Sequence, residues 1–504
     1  MEKSALIEGR KHAPRHLGRV LVLGLGKSGR AAVAYLLPLL GGRVEALAIA
    51  AGARTEASEA FADAARASGA LVAFEDDAPG VLAAEAGGSF DLCVASPGIS
   101  QFSTFYQAAA AVSAEVVSEV ELAWRESSKE SRWVAVTGTN GKTTVCALAA
   151  HVLSGAGLAA AAVGNIGDPC IEAVGAGRTE VYVAEVSSYQ LASTRLFAPN
   201  VAVLLNITPD HLSWHRSFEA YRDAKLGLLA NLAHVPESVA VLDATNDVVR
   251  AEVRRLRALD AHERGFAYVP VGTAAGLGGD MRAACGSDAA AFVDGDGVLR
   301  VALGGVEHAV VRADELQIKG GHNVANALAA ATAALALGVD ARDVAAHLRT
   351  FAPLEHRIEP CGAVAGVRCY NDSKATNVDA ALKALEAFPE ARPVALFGGE
   401  DKGTDLGPLV EAAHARACAV VCFGSAGERI ASAFEAAFAK APEGFAVARA
   451  RHLADALDAA LALAPEDGVV LLSPACASFD EFGSFEERGR AFKALVSERA
   501  AGAR

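Results

Sequence analysis

Residues 133–144 read Trp133-Val-Ala-Val136 and then Thr137-Gly-Thr-Asn-Gly-Lys-Thr-Thr144. Four apolar residues form a buried strand, and the Ala- and Leu-rich run from Val145 to Leu153 forms the helix after the loop. Between them lies a glycine-rich loop whose backbone N–H groups, at a helix N-terminus, cradle phosphates. Gly138, Thr139, Asn140, Gly141 and Thr144 supply the cradle. Lys142 can reach the β and γ phosphates of a nucleoside triphosphate, and the Thr143 hydroxyl can ligate Mg²⁺. The longer general form of this loop needs glycine where Val136 stands, so the loop is a shortened one.

The same strand–loop–helix rhythm recurs on both sides. Upstream, Val20-Leu-Val-Leu23 runs into Gly24-Leu-Gly-Lys-Ser-Gly29. This turn suits the pyrophosphate of a dinucleotide or of a uridine diphosphate, or serves the fold alone. A dinucleotide reading needs an acid at the end of the second strand. The nearest, Glu45, lies inside that strand, which runs on into Ala50-Ala-Gly-Ala53. Asp91-Leu-Cys-Val-Ala95 is another strand, ending in Ser96-Pro97-Gly98. The polar stretch Glu126–Ser131 reads as a linker, and Phe351-Ala-Pro353 as a second boundary. Beyond it, strands at Val394–Phe397, Ala419–Phe423 and Val469–Leu472 repeat the α/β rhythm, whereas Val271–Ala313 is Gly-rich and strand-like. Ligands of such sheets bind beyond the carboxyl ends of the strands.

Bulk properties agree. A chain of 504 residues suits about three domains of ~150 residues each, and 52% hydrophobic residues fill their cores. A net charge of −14 repels nucleic acid and anionic lipid, so any nucleotide is held locally. Nine cysteines without a CxxC pair read as reduced thiols of a cytoplasmic protein. The run from Thr143 to Gly167 is interrupted by His151, Gly155, Gly157 and Asn165 and fails as a membrane span.

Three further side chains could work with the phosphate loop. Glu185, in Ala184-Glu-Val-Ser-Ser-Tyr-Gln190, stands at a strand end where a carboxylate holds Mg²⁺ or its water. His211 ends the next strand in Thr208-Pro-Asp-His211. Lys225, in Tyr221-Arg-Asp-Ala-Lys225, lies in a helix with apolar neighbours. His211 and Lys225 each have an ordinary reading when taken alone: a satisfied histidine and a solvated lysine.

In order along the chain stand TGTNGKTT, VGNIG with Asn165, EVSSYQ, TPDHL, YRDAK, GGHNVANALAA, HRIE, NDSKATN and SPACASFDEF. Together they resemble the Mur ligase family, and NDSKATN (371–377) with SPACAS (473–478) resembles its D-glutamate-adding branch. The resemblance implies an α/β protein of three domains. These are a Rossmann-like UDP-substrate domain (1–130), a P-loop ATPase-like ATP-binding domain (131–353) and a Rossmann-like domain for the amino acid (354–504). It implies ATP and two Mg²⁺ ions as cofactors, with UDP-N-acetylmuramoyl-L-alanine and D-glutamate as small-molecule substrates. The alanine carboxylate is phosphorylated and the amine of D-glutamate then displaces phosphate. The implied enzyme is a cytoplasmic monomer that engages neither nucleic acid nor membrane.

Carried over residue by residue, the resemblance makes Lys142, His211 and Lys225 catalytic. Thr143 and Glu185 serve one Mg²⁺, while His211 and a carbamylated Lys225 serve the other. Asn323 and Asn326 take the adenine side. Arg357, Asp372 and Lys374 touch the nucleotide from the third domain. Gly26, Lys27, Ser28, Ser96, Pro97, Gly98 and Asn165 hold the UDP substrate. Thr376, Lys402, Ser478 and Phe479 receive D-glutamate, with Phe485 walling that pocket. Family members often carry Asp-Thr-Arg after the second strand, and the nearest match here is Arg54-Thr55. The competing readings are a folate–glutamate ligase, an oxidoreductase using the Gly24 turn, and a nucleotide-gated binding protein without ligase activity.

Overall fold

The computed structural model describes residues 6–272, 289–401, 403–437 and 445–502. Among these residues the chain forms three sheets. The first comprises β1 (Gly18–Leu23), β2 (Val44–Ala50), β3 (Leu71–Ala73), β4 (Leu92–Ala95) and β5 (Val116–Ser118), in the order β3-β2-β1-β4-β5. All its pairings are parallel. Its strands are near-continuous apolar runs because helices cover both faces. The strand order reverses between β1 and β4, the place where such sheets bind ligands.

The second sheet is built from β6 (Arg132–Thr137), β7 (Ala160–Gly164), β8 (Val181–Glu185), β9 (Val201–Leu204), β10 (Val239–Asp243), β11 (Ala267–Gly272), β12 (Ala290–Val293), β13 (Val298–Leu303) and β14 (Val306–Arg312). Their order is β14-β13-β12-β11-β10-β9-β6-β8-β7, with β12, β13 and β14 antiparallel at one edge. Those edge strands are the strand-like part of Val271–Ala313, and residues 273–288 within it lie outside the described residues.

The third sheet contains β15 (Glu359–Val364), β16 (Val367–Asn371), β17 (Val394–Gly398), β18 (Ala419–Phe423), β19 (Ala446–Arg449) and β20 (Val469–Ala475), in the order β15-β16-β20-β17-β18-β19. Two compact units result. One holds residues 1–315 and 325–349, with the first two sheets, and the other holds 316–324 and 350–504, with the third. No described helix is long and apolar enough to cross a membrane.

The segment read as a polar linker is not loose. Glu126, Ser127 and Ser131 are buried, while Ser128, Lys129 and Glu130 are exposed. The Glu126 carboxylate accepts hydrogen bonds from Arg10, Tyr35 and Arg43 at 2.7–2.8 Å. Glu121, buried in the same helix (Glu119–Glu126), accepts the backbone N–H groups of Arg195 and Leu196 and pairs with Arg125. A buried carboxylate with several charge-assisted donors holds its surroundings in one arrangement, so these glutamates brace the first sheet against the second.

Glu119 is the exception in that helix. One oxygen accepts the N–H of Ile171 at 2.6 Å, and the other is buried with no hydrogen-bond partner. Burial pushes this carboxyl from 4.5 up to about 7. Because the folded-state value is the higher one, the protonated form is favoured by folding. Its stabilisation is full below the unfolded value of 4.5 and is lost as pH rises through about 7. Glu119→Gln should therefore match the parent near pH ~5 and exceed it near pH ~8, by up to roughly 3 kcal/mol. Urea unfolding midpoints at the two pH values check this.

Candidate active site

The phosphate loop leaves β6 and enters helix Lys142–Gly155 through Gly141, whose φ is 87°. A Cβ at Gly141 would lie 2.7 Å from Asn326 Oδ1, and one at Gly138 would lie 2.8 Å from the Leu205 Cβ. These two glycines therefore let β9 and the Asn326 helix approach the loop. Asn206 fixes the loop's shape: its Oδ1 accepts the Asn140 N–H at 2.8 Å and its backbone carbonyl accepts that of Thr139 at 2.6 Å. The N–H groups of the helix's first turn have no acceptor within the helix and face an anion site. The Lys142 ammonium donates to the carbonyls of Gly138 and Thr139, both at 2.9 Å.

Strand order explains what surrounds this loop. β6 lies between β8 and β9, so Glu185 and the His211 segment emerge on either side of it. Glu185 is 2% exposed. Its Oε1 accepts the Asn165 side-chain amide at 2.7 Å, while its Oε2 is buried without a hydrogen-bond partner. The His211 Nδ1 lies 2.7 Å from the Tyr189 hydroxyl. Lys225, also 2% exposed, donates to the Gly138 carbonyl at 2.7 Å and to the Thr137 hydroxyl at 3.4 Å. Burial, and then the Lys142 ammonium, push the Lys225 pKa well below 10.5. The solvated-lysine reading is thereby excluded.

The first domain brings its expected residues to the switch point. Gly24, with φ 87°, turns the chain after β1, and a Cβ at Gly29 would meet the Gly24 carbonyl at 2.0 Å. The Ser96 hydroxyl, at the end of β4, donates to that same carbonyl at 3.1 Å. Lys27 reaches across to the Gly167 carbonyl at 2.5 Å, so the Gly24 turn meets the loop that carries Asn165. Glu45 points to solvent beside Arg19 and holds no strand end, so the dinucleotide reading lacks its ribose carboxylate. Arg54 lies over Phe74, and Thr55 caps helix Glu56–Ala67.

In the other unit, three loops leave the neighbouring strands β16, β20 and β17. Asp372 is buried, accepts the Ser473 hydroxyl at 2.8 Å, and is pushed by burial up to about 7. The Lys374 ammonium sits 3.9 Å from the Phe485 ring centre. Residue 400 pairs through its backbone with Ala477, next to the buried Ser478, which brings the β17 loop beside the β20 loop. Lys402 lies outside the described residues. Phe479 is exposed, Thr376 follows Lys374 in the β16 loop, and Asn323 donates to the Lys319 carbonyl at 2.7 Å. Arg357 begins the approach to β15.

Two family models match the chain: Mur ligase middle domain over residues 136–334, and Mur ligase, glutamate ligase domain over residues 356–476. The chain belongs to the Mur ligase family. Among its relatives, the UDP-N-acetylmuramoylalanine–D-glutamate ligase of Alkaliphilus metalliredigens is 38% identical over 81% of this chain and 84% of its own length. The enzyme of the same name from Pelotomaculum thermopropionicum is 36% identical over 95% of this chain and 97% of its own. Solved structures agree on the fold. A pseudomurein peptide ligase type C from Methanothermus fervidus superposes with a TM-score of 0.53 at 16% identity, covering 95% of this chain and 99% of that one. The UDP-N-acetylmuramate–alanine ligase of Thermotoga maritima gives 0.52 at 18% identity, covering 96% and 100%.

The donor set of this Mur ligase fits Mg²⁺. A hard dication takes oxygen ligands, and Glu185 offers a buried carboxylate oxygen that no protein donor satisfies. Three residues not singled out in the sequence support these loops, two beside the phosphate loop and one in the other unit. Asn206 shapes the phosphate loop and Tyr189 orients His211. Arg488, 1% exposed, donates to the Ser373 hydroxyl and to the carbonyls of Ser373, Cys476 and Ala477, tying the β16 loop to the β20 loop. The sequence signal for Asn206 is its place between a buried strand and Thr208. Arg488 carries no local signal.

Proposed function

We propose that this Mur ligase joins D-glutamate to UDP-N-acetylmuramoyl-L-alanine, driven by ATP, with release of ADP and phosphate in peptidoglycan precursor synthesis. The observation that carries the reading is the gathering of Lys142, Glu185 and Lys225 around one phosphate loop, in a chain that a relative of that name matches over 95% of its length. An alanine carboxylate oxygen attacks the γ-phosphorus, and the bond from that phosphorus to ADP breaks. The amine of D-glutamate then attacks the acyl carbon, phosphate leaves, and the amine gives up a proton.

Each protein group has a task in that sequence. The first turn of helix Lys142–Gly155 orients the phosphates, and Lys142 exchanges its carbonyl partners for phosphoryl oxygens as charge builds there. Asn206 keeps the loop from relaxing. Thr143 and Glu185 would hold one Mg²⁺, and His211 with a carbamylated Lys225 a second; when bound, such ions would supply charge neutralisation. The Gly24 turn with Ser96 and Asn165 receives the UDP substrate. Arg357, Asp372, Lys374, Asn323 and Asn326 serve the nucleotide. Thr376, Lys402, Ser478, Phe479 and Phe485 receive D-glutamate, where a dicarboxylate meets a cation and hydroxyl donors. The enzyme acts as a cytoplasmic monomer.

Phosphate release with UDP-N-acetylmuramoyl-L-alanine and ATP should require D-glutamate. Equal rates with L-glutamate or a diamino acid would show the acceptor to be misassigned.

A further inference from the structure

His211 opens a short helical turn, Leu212–His215, and Arg216 ends it. Both flanking residues adopt the left-handed conformation, His211 at φ 53° and Arg216 at φ 67°. That backbone is disfavoured for any residue with a Cβ, so other contacts must hold the turn. On one side, the fully buried His215 places its Nε2 2.9 Å from the Ser188 hydroxyl of the second sheet's own helix. On the other side the grip comes from the first domain. The Ser100 hydroxyl donates to the Trp214 carbonyl at 2.9 Å. Arg216 donates to the Phe102 carbonyl at 3.0 Å, and its guanidinium lies 4.7 Å from the Phe102 ring centre. Ser100 and Phe102 belong to the loop that begins at Ser96-Pro97-Gly98.

The turn is also linked to both catalytic side chains. Trp214 stacks on Tyr189 with ring centres 4.5 Å apart, and Tyr189 holds His211. Ser217, next after Arg216, caps helix Phe218–Leu226, which carries Lys225. We propose that Arg216 is a positioning residue that latches the His211 turn to the Ser96–Ser103 loop, so that the substrate-binding loop of the first domain sets where His211 stands. The proposal rests on the ligase reading above, from which His211 and Ser96 take their roles.

Arg216→Gly separates the latch from the backbone turn. Glycine holds a φ near that of Arg216 without strain, so a residue serving only the turn would be replaced without loss. In a variant that still folds, the latch instead predicts kcat down by about 10-fold or more, since small displacements of reacting groups are costly. The KM for UDP-N-acetylmuramoyl-L-alanine should rise and that for ATP should hold. Arg216→Lys keeps the cation over Phe102 and should recover part of the rate. Ser100→Ala, which leaves the turn's backbone untouched, should show the same pattern more weakly and serves if Arg216→Gly folds poorly. Parent-like kcat and KM in Arg216→Gly, or in Ser100→Ala where the first does not fold, would overturn the proposal. A parent protein that ligates nothing fails the reaction assigned above, not the latch. The latch is then read from thermal midpoints of Arg216→Gly, Phe102→Ala and the double variant, where additive shifts overturn it and coupled shifts support it.

Discussion

Lys225→Ala is expected to lower turnover by about 10²-fold or more, and a short carboxylic acid added to the assay is expected to restore part of it. Lys225 is buried, and desolvation with the Lys142 ammonium nearby holds its pKa well below 10.5. An amine that is neutral part of the time can add carbon dioxide: a nitrogen–carbon bond forms, a proton leaves, and the neutral amine becomes an anionic carbamate. We propose that carbamylated form, because an ammonium facing dications is repelled whereas a carbamate offers them oxygens. A carboxylic acid entering the space vacated in the alanine variant would replace those oxygens. Lys225→Arg keeps the positive charge and should not respond. The rival account is that Lys225 only braces the loop through the Gly138 carbonyl, 2.7 Å away. It predicts no rescue by any acid and no incorporation of isotope-labelled bicarbonate into the protein.

Lys142→Ala is expected to reduce phosphate release by about 10²-fold or more, the size of loss that follows removal of one preorganised partner of developing charge. The fold should survive. The Lys142 ammonium bonds to carbonyls of its own loop, and Asn206 shapes that loop independently. Thermal unfolding close to the parent's, together with a collapsed rate, is the expected pair of results. A variant that keeps a near-normal rate would place ATP elsewhere.

Local pattern made the strand–loop–helix units legible, because apolar runs and glycine turns need only neighbours in sequence. The site residues at strand ends were legible for the same reason: in a parallel sheet every loop at one edge faces the same crevice. Glu185 and the His211 segment accordingly emerge on either side of the Gly138–Gly141 loop, and Lys225 reaches that loop from a helix. Tertiary partners were not legible. Glu126 looks like linker chemistry in sequence, and only the fold supplies Arg10, Arg43 and Tyr35 to bury it. Arg488 is one of several charged residues in its helix, and its burial comes from two loops distant in sequence. Asn323 and Asn326, three apart on one helix, fall in different compact units, a division no local spacing reveals.

The claim that phosphoryl transfer to the alanine carboxylate precedes ligation is tested most directly by labelling. UDP-N-acetylmuramoyl-L-alanine with heavy oxygen in its terminal carboxylate would be turned over with ATP and D-glutamate, and the released phosphate analysed by mass spectrometry. An acyl phosphate intermediate requires one carboxylate oxygen to leave with the phosphate, so the account predicts one heavy oxygen per phosphate and one retained in the new amide. Phosphate that carries no label while the glutamyl product accumulates would contradict it.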